Sequence, residues 1–154
     1  MEYIAEFNNT MKVFENGVVF SLATEIANQP SVRLVCGFAL DGIIYFQTDC
    51  SMDKVKEIYS NPNVALCTEC IQIFGKCIEC GSPIDSNNQW FSQKYKQLFP
   101  QSYKKYSSLP NERIFGITPV LIKKWDTEDK VPRIIQIDIQ NESLSMRYFK
   151  EYIT

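Results

Sequence analysis

Histidine is missing from all 154 residues. Its absence removes the usual general base near neutral pH and the commonest neutral metal ligand, so any chemistry is expected to rest on a bound cofactor. Long apolar runs are also missing: none approaches the ~20 residues needed to span a bilayer. The N-terminal M-E-Y-I-A-E-F-N-N-T has acids where a secretory leader has bases, with no apolar core after it. These features predict a soluble, cytoplasmic chain that does not engage a membrane. There is no basic stripe either. Lys and Arg number 16 against 18 Asp and Glu, for a net charge of −2. The one basic, aromatic run, Lys94 to Lys105, is too little for duplex DNA, so nucleic acid is not an expected partner. Repeats and low-complexity segments are absent.

What is present suits a globular chain: 45% hydrophobic and 22% charged residues in a length that fits one domain, residues 1–154. Its organising stretch is Ser31 to Leu66. Two β-rich runs, Val32 to Leu40 and Ile43 to Thr48, flank Asp41-Gly42, a pair that tolerates positive φ and so predicts a tight hairpin. Ser51 then serves as the expected N-cap of a helix carrying Met52, Val55, Ile58 and Tyr59, which Asn61-Pro62 ends. The start of that helix offers free N–H groups and a positive dipole end, with Lys54 in the first turn and Arg33 on the neighbouring strand. Such a place suits a phosphate.

Outside this centre, Ile4, Phe7, Met11 and Phe14 recur at helical intervals over residues 3–15, and Asn16-Gly17 supplies a stop. Val18 to Thr24 reads as a strand, followed by a turn at Asn28-Gln29-Pro30. Asn63 to Cys70 and Ile71 to Cys80 read as two more strands, with Gly75 a bulge or close-approach point. A helix capped at Asp85 or Ser86 carries Trp90, Phe91, Tyr95, Leu98 and Phe99 on a stripe expected to be core. Pro100 ends it, Gln101 to Tyr106 forms a further turn, and Ser107 to Asn111 is a loop. Arg113 to Trp125 and Ile134 to Ile139 are late strands expected to complete a small barrel. The tail from Leu144 to Thr154 is apolar enough to pack on something.

Cys67-Thr-Glu-Cys70 and Cys77-Ile-Glu-Cys80 form two C-x-x-C units separated by I-Q-I-F-G-K, a pattern to be tested as zinc. In a regular strand, residues three apart point to opposite faces, so neither pair offers both thiolates to one metal unless the backbone leaves β geometry. Thiols packed as small hydrophobes are the preferred reading, with no metal site assigned. Zinc, redox and disulfide chemistry are the alternatives. Cys36 and Cys50 are likewise read first as packed thiols.

The order and spacing of F-S-L-A-T (Phe20 to Thr24), Q-P-S-V-R-L-V (Gln29 to Val35), I-I-Y-F-Q-T (Ile43 to Thr48), K-V-K-E-I-Y-S-N-P-N-V-A-L (Lys54 to Leu66) and F-G-K-C (Phe74 to Cys77) resemble the FMN-binding split-barrel proteins related to pyridoxamine 5'-phosphate oxidase, and within them the nitroimidazole-reductase-like branch. The resemblance implies a mainly β split barrel with flanking helices, and a homodimer holding FMN at its interface. It implies Arg33, Lys54 and Ser51 at the phosphate, Leu34, Val35 and Cys36 along the flavin, and Gln47 and Thr48 at the ribityl chain or ring. Gln72 is a further ring candidate, and Trp125 either crosses to the partner or is core. Asp53 stands where the oxidases have Arg, and their Arg- and His-bearing C-terminal signature is missing, so oxidation of pyridoxamine phosphate is not expected. Neither is the catalytic His of the reductase-like branch present. The implied activity is hydride or electron transfer between a nicotinamide donor and a small acceptor. A flavin or deazaflavin carrier or sensor, and a zinc-stabilised binding module, are the alternatives.

Overall fold

Asp41 and Gly42 both take positive φ, 51° and 79°, and fold their flanking strands into the expected two-residue hairpin. The computed structural model describes residues 2–149. The chain runs α1 (Glu2–Glu15), β1 (Val18–Ile26), β2 (Gln29–Leu40), β3 (Ile43–Asp49), α2 (Asp53–Ser60), β4 (Asn63–Thr68), β5 (Ile71–Glu79), α3 (Gln89–Leu98), α4 (Pro100–Tyr106), β6 (Glu112–Glu128), β7 (Val131–Asp138) and β8 (Ser143–Tyr148). The first turn differs from expectation. Ala27 and Asn28, at φ 49° and 62°, make it, so β2 begins at Gln29 and Pro30 already pairs with Glu25.

All strand pairs are antiparallel, in the order β3-β2-β1-β4-β5-β6-β7-β8, and β3 also pairs with β6. That extra pairing closes six strands into a barrel. The 17-residue β6 makes it possible. Residues 112–117 pair with β3, residues 115–124 with β5, and residues 121–128 leave the barrel to pair with β7. The second late strand therefore does not complete the barrel, as its sequence suggested. With β8 it extends the sheet beyond the closure.

Alternation decides what fills the interior. Phe20, Leu22, Ile44, Phe46, Leu66, Ile73, Phe115 and Ile117 point inward and are fully buried, and Phe46 stacks on Phe115 with ring centroids 5.5 Å apart. Met11 and Phe14 of α1, with Val55 and Ile58 of α2, join this cluster, whereas Ile4 is exposed. A Lys124–Glu6 ion pair of 2.8 Å ties α1 to β6. A second cluster, Phe38, Phe91, Tyr95 and Ile114, fixes α3 against β2 and β6. Trp90, expected in that stripe, is 37% exposed, because Phe91 and Tyr95, one turn apart, take the inward face and the adjacent position is turned away from it. At Gly75 the β5–β6 register shifts, and a Cβ there would meet the Thr118 carbonyl oxygen at 2.6 Å. The close approach read from the sequence is real.

The tail from Leu144 forms the edge strand β8 through Tyr148, with most of its residues exposed. The remainder of that expectation, residues 150–154, lies outside the described residues. Cys67 and Cys70 straddle the β4–β5 hairpin and are exposed, while Cys77 is buried in the barrel wall and Cys80 is half-buried. No group of three or more Cys, Asp or Glu among the described residues is arranged to hold a metal ion.

Candidate functional site

A cleft of about 520 Å³ opens where β1 to β3, the start of β6 and the pair α3–α4 meet. Its apolar walls are Val19, Leu34, Val35, Tyr95, Tyr106 and Leu109. Its polar groups are Cys36, Gln47, Thr48, Asp49, Lys54, Ser102 and Glu112. The volume falls within the roughly 300–1,000 Å³ usual for small-molecule sites. A second hollow of about 400 Å³ adjoins it, lined by Arg33, Ser51, Met52, Asp53 and Lys54. Met52 and Lys54 line both, so the two hollows meet at the start of α2.

The hairpin supplies one side of the cleft. On β2, Leu34 is 69% exposed while Cys36 is half-buried, with its sulfur 3.6 Å from the Tyr95 hydroxyl. That hydroxyl lies 2.7 Å from Ser102 Oγ of α4. Burial, then the thiol of Cys36, push Tyr95 above its usual range against the pull of Ser102, so it stays a neutral phenol. On β3, Gln47 and Thr48 are buried at the cleft floor. Gln47 Oε1 accepts a 3.0 Å hydrogen bond from Ser107, but its Nε2 is buried without a partner. Such an orphaned donor is unusual in a folded protein and marks a place where a ligand acceptor fits.

The start of α2 differs from the expected cap. Met52, in extended conformation, is the N-cap and gives no side-chain bond to the helix. Ser51 instead turns back to Asp49, whose Oδ1 accepts its backbone N–H at 2.8 Å and its hydroxyl at 2.6 Å. Those two bonds, helped by Lys54, hold the Asp49 carboxyl below its usual range and keep it charged. Ser51 Oγ is thus already committed. Arg33 is committed as well: it donates to Leu22 O at 3.2 Å, to Thr24 Oγ1 at 2.8 Å and to Glu57 at 3.2 Å. Thr24 donates to the same Glu57 oxygen. The Thr24 bond, ahead of the guanidinium, keeps the Glu57 carboxyl low.

Lys54 is different. Among the described residues it forms no ion pair within 4.0 Å, and its ammonium rests 3.4 Å from Met52 Sδ. Partial burial, then Arg33, lower its pKa. Glu112, at the first position of β6, is 4% exposed. Burial, then the charge of Asp49, push its carboxyl up to about 7, against smaller opposing effects of Lys54 and the Gln47 amide.

The structure therefore brings Leu34, Val35, Cys36, Gln47, Thr48 and Lys54 into one cleft and sets Arg33 and Ser51 around the adjoining hollow. Gln72 is not among them. It is exposed on β5 between Cys67 and Lys123. Trp125 stands away from the cleft, 45% exposed and packed on Phe149 at 5.4 Å. Tyr95, Tyr106, Leu109 and Glu112 were missed from sequence because the stripe on α3 looks like core, and a glutamate opening a strand looks like a surface charge.

No family model matches the sequence, and no curated protein matches it. Solved structures do. An FMN-binding protein related to pyridoxamine 5'-phosphate oxidase from Nostoc punctiforme is 15% identical and superposes with a TM-score of 0.57 over 96% of this chain and 94% of its own. A NimC/NimA family protein from Clostridium acetobutylicum gives 16% identity and a TM-score of 0.56, covering 94% of each chain. The heme storage protein HutZ from Vibrio cholerae gives 14% and 0.57 over 75% of this chain and 87% of its own. The chain has the split-barrel fold of pyridoxamine 5'-phosphate oxidase-like proteins.

Proposed function

We propose that this chain binds FMN and serves, as a homodimer, in hydride or electron transfer between a nicotinamide donor and a small acceptor. The observation that carries the reading is the pair of hollows that meet at Lys54: a cleft with apolar walls lies beside a smaller pocket, and the ammonium between them forms no ion pair among the described residues. A flavin with a phosphorylated tail has that shape and that charge order.

The residues present fit the group. Val35, Leu34 and Tyr95 offer apolar surface to a ring, and Gln47 Nε2 is a buried donor in want of an acceptor. Thr48 adds a hydroxyl for a polyol chain. Lys54 meets the phosphate, with Arg33 close by as a second, partly neutralised charge. Bound FMN supplies the redox chemistry, while the chain supplies binding, orientation and electrostatics. The exposed apolar residues Val19, Val32 and Leu34 beside the cleft support a second copy as the missing wall.

The purified protein tests the reading. Mass spectrometry of the released small molecule is expected to find FMN, and the bound flavin is expected to bleach on anaerobic addition of NADH or NADPH. A protein that copurifies with haem, or that ignores added FMN, contradicts it.

A further inference from the structure

Two carboxylates, Asp49 and Glu112, line the same cleft as Lys54, the cation assigned above to a phosphate. A dianion arriving there meets their repulsion as well as the attraction of the ammonium. The two acids are not equivalent. Asp49 is fastened to Ser51 by an O–H and an N–H bond, both of which favour its charged form. Glu112 is more deeply buried and sits beside the Gln47 amide, whose opposing influence on it is smaller than that of burial. Of the two, Glu112 is the acid that can yield its charge.

We propose that Glu112 takes up a proton when a phosphorylated ligand binds, so that this site selects organic phosphates in a proton-linked manner. The inference rests on the flavin reading above and deepens it. A bound phosphate cancels the field of Lys54, which favours the Glu112 carboxylate, and adds negative charge of its own. Both changes hold the proton on Glu112. The neutral carboxyl then removes one repulsion and presents an O–H donor toward the cleft. The free carboxyl already titrates near neutrality, at about 7, so a modest further rise puts proton uptake in the working range.

The groups facing Glu112 are Asp49 of β3, Lys54 of α2 and Tyr95 of α3. Tyr106 of α4 lines the same cleft, Cys50 lies against the adjoining strand end, and Arg113 is its neighbour on β6. Arg113 directs its guanidinium to the Pro110 and Glu112 carbonyls instead. Tyr95 is held neutral and Asp49 charged, so of the two carboxyl groups lining the cleft Glu112 is the one that changes state near pH 7.

The full chain is titrated calorimetrically with FMN and with riboflavin from about pH 6.5 to about pH 8.5, in buffers of differing ionisation heat. The phosphate's own second ionisation, near pH 6, is almost complete over this range and acts in the opposite direction. FMN affinity is expected to fall roughly fivefold over this range as pH rises, with about half a proton taken up per FMN near pH 7.5. Riboflavin affinity is expected to stay within about twofold. Glu112→Gln, permanently neutral, is expected to bind FMN with little pH dependence and more tightly than the wild type at the alkaline end. The proposal is overturned if wild-type FMN binding is flat with no proton uptake, or if Glu112→Gln keeps the wild-type slope. The wild-type proton count decides the matter should the variant not fold. FMN binding no better than riboflavin at any pH overturns the flavin-phosphate reading itself.

Discussion

Lys54 and Arg33 look alike in the sequence, two cations near one helix start, but their surroundings divide their work. Arg33 is held by the Leu22 carbonyl, Thr24 and Glu57, so it braces β1, β2 and α2 before any ligand arrives. Lys54 has no such partners among the described residues. Arg33→Ala is accordingly expected to lower the unfolding midpoint as well as FMN affinity, whereas Lys54→Ala lowers affinity with little change in the midpoint. Glu57 gives this brace a pH signature. Its folded-state pKa lies below the ordinary glutamate value, so its contribution is present above about pH 4.5 and lost as pH falls through the folded value. The stability gap between wild type and Glu57→Gln in urea titrations is expected to shrink toward pH 3, and a gap that widens in acid would contradict the assignment. Glu112 has the opposite sign. Its folded pKa is raised, so the apo-protein is expected to lose stability relative to Glu112→Gln as pH climbs from about 4.5 to about 7. Asp53, next to Lys54 in the first turn of α2, opposes an anion there, so Asp53→Arg is expected to tighten FMN at low salt, with a gain that fades as salt is added. An unchanged low-salt affinity would move the phosphate elsewhere.

At the scale of elements, the strands were legible where alternation and turn chemistry agreed. Asp41-Gly42 announced its hairpin, and Gly75 its close approach. Gly75→Ala is expected to destabilise the fold by about 1–3 kcal/mol, because the added Cβ would lie 2.6 Å from the Thr118 carbonyl oxygen and 2.8 Å from Ile117 Cγ2. Denaturant unfolding measures this, and a neutral result would mean that β5 slides freely past the bulge. Ser51 as helix cap was misread because a serine before a helix has two uses. Here Asp49 captures its hydroxyl, and the cap passes to Met52. The amphipathic stripe of α3 gave no hint that Tyr95 faces a cleft, since a buried aromatic and a cleft-lining aromatic share one periodicity. Only the neighbouring Cys36 and Ser102, brought together by the fold, separate the two.

For the whole molecule, motif order along Phe20 to Cys77 was enough to read a split barrel. The path of the late strands was not. Nothing local in Arg113 to Trp125 says that one half closes the barrel on β3 and the other half departs with β7, because pairing between distant strands is settled by the competition of whole registers. The cleft as formed by one chain is open, with Leu34 and Val19 exposed on its rim. Light scattering at micromolar concentration is therefore expected to give twice the chain mass, and a flavin-loaded monomer would contradict that closure. The central claim is that the cleft carries a ring and Lys54 a phosphate. It is tested most directly by calorimetric affinities of wild type and Lys54→Ala for FMN and for riboflavin, measured side by side near pH 7. Loss of a charge-assisted contact predicts a roughly ten- to hundredfold drop for FMN with riboflavin almost unchanged. Equal losses for the two ligands, or none for either, would contradict the account.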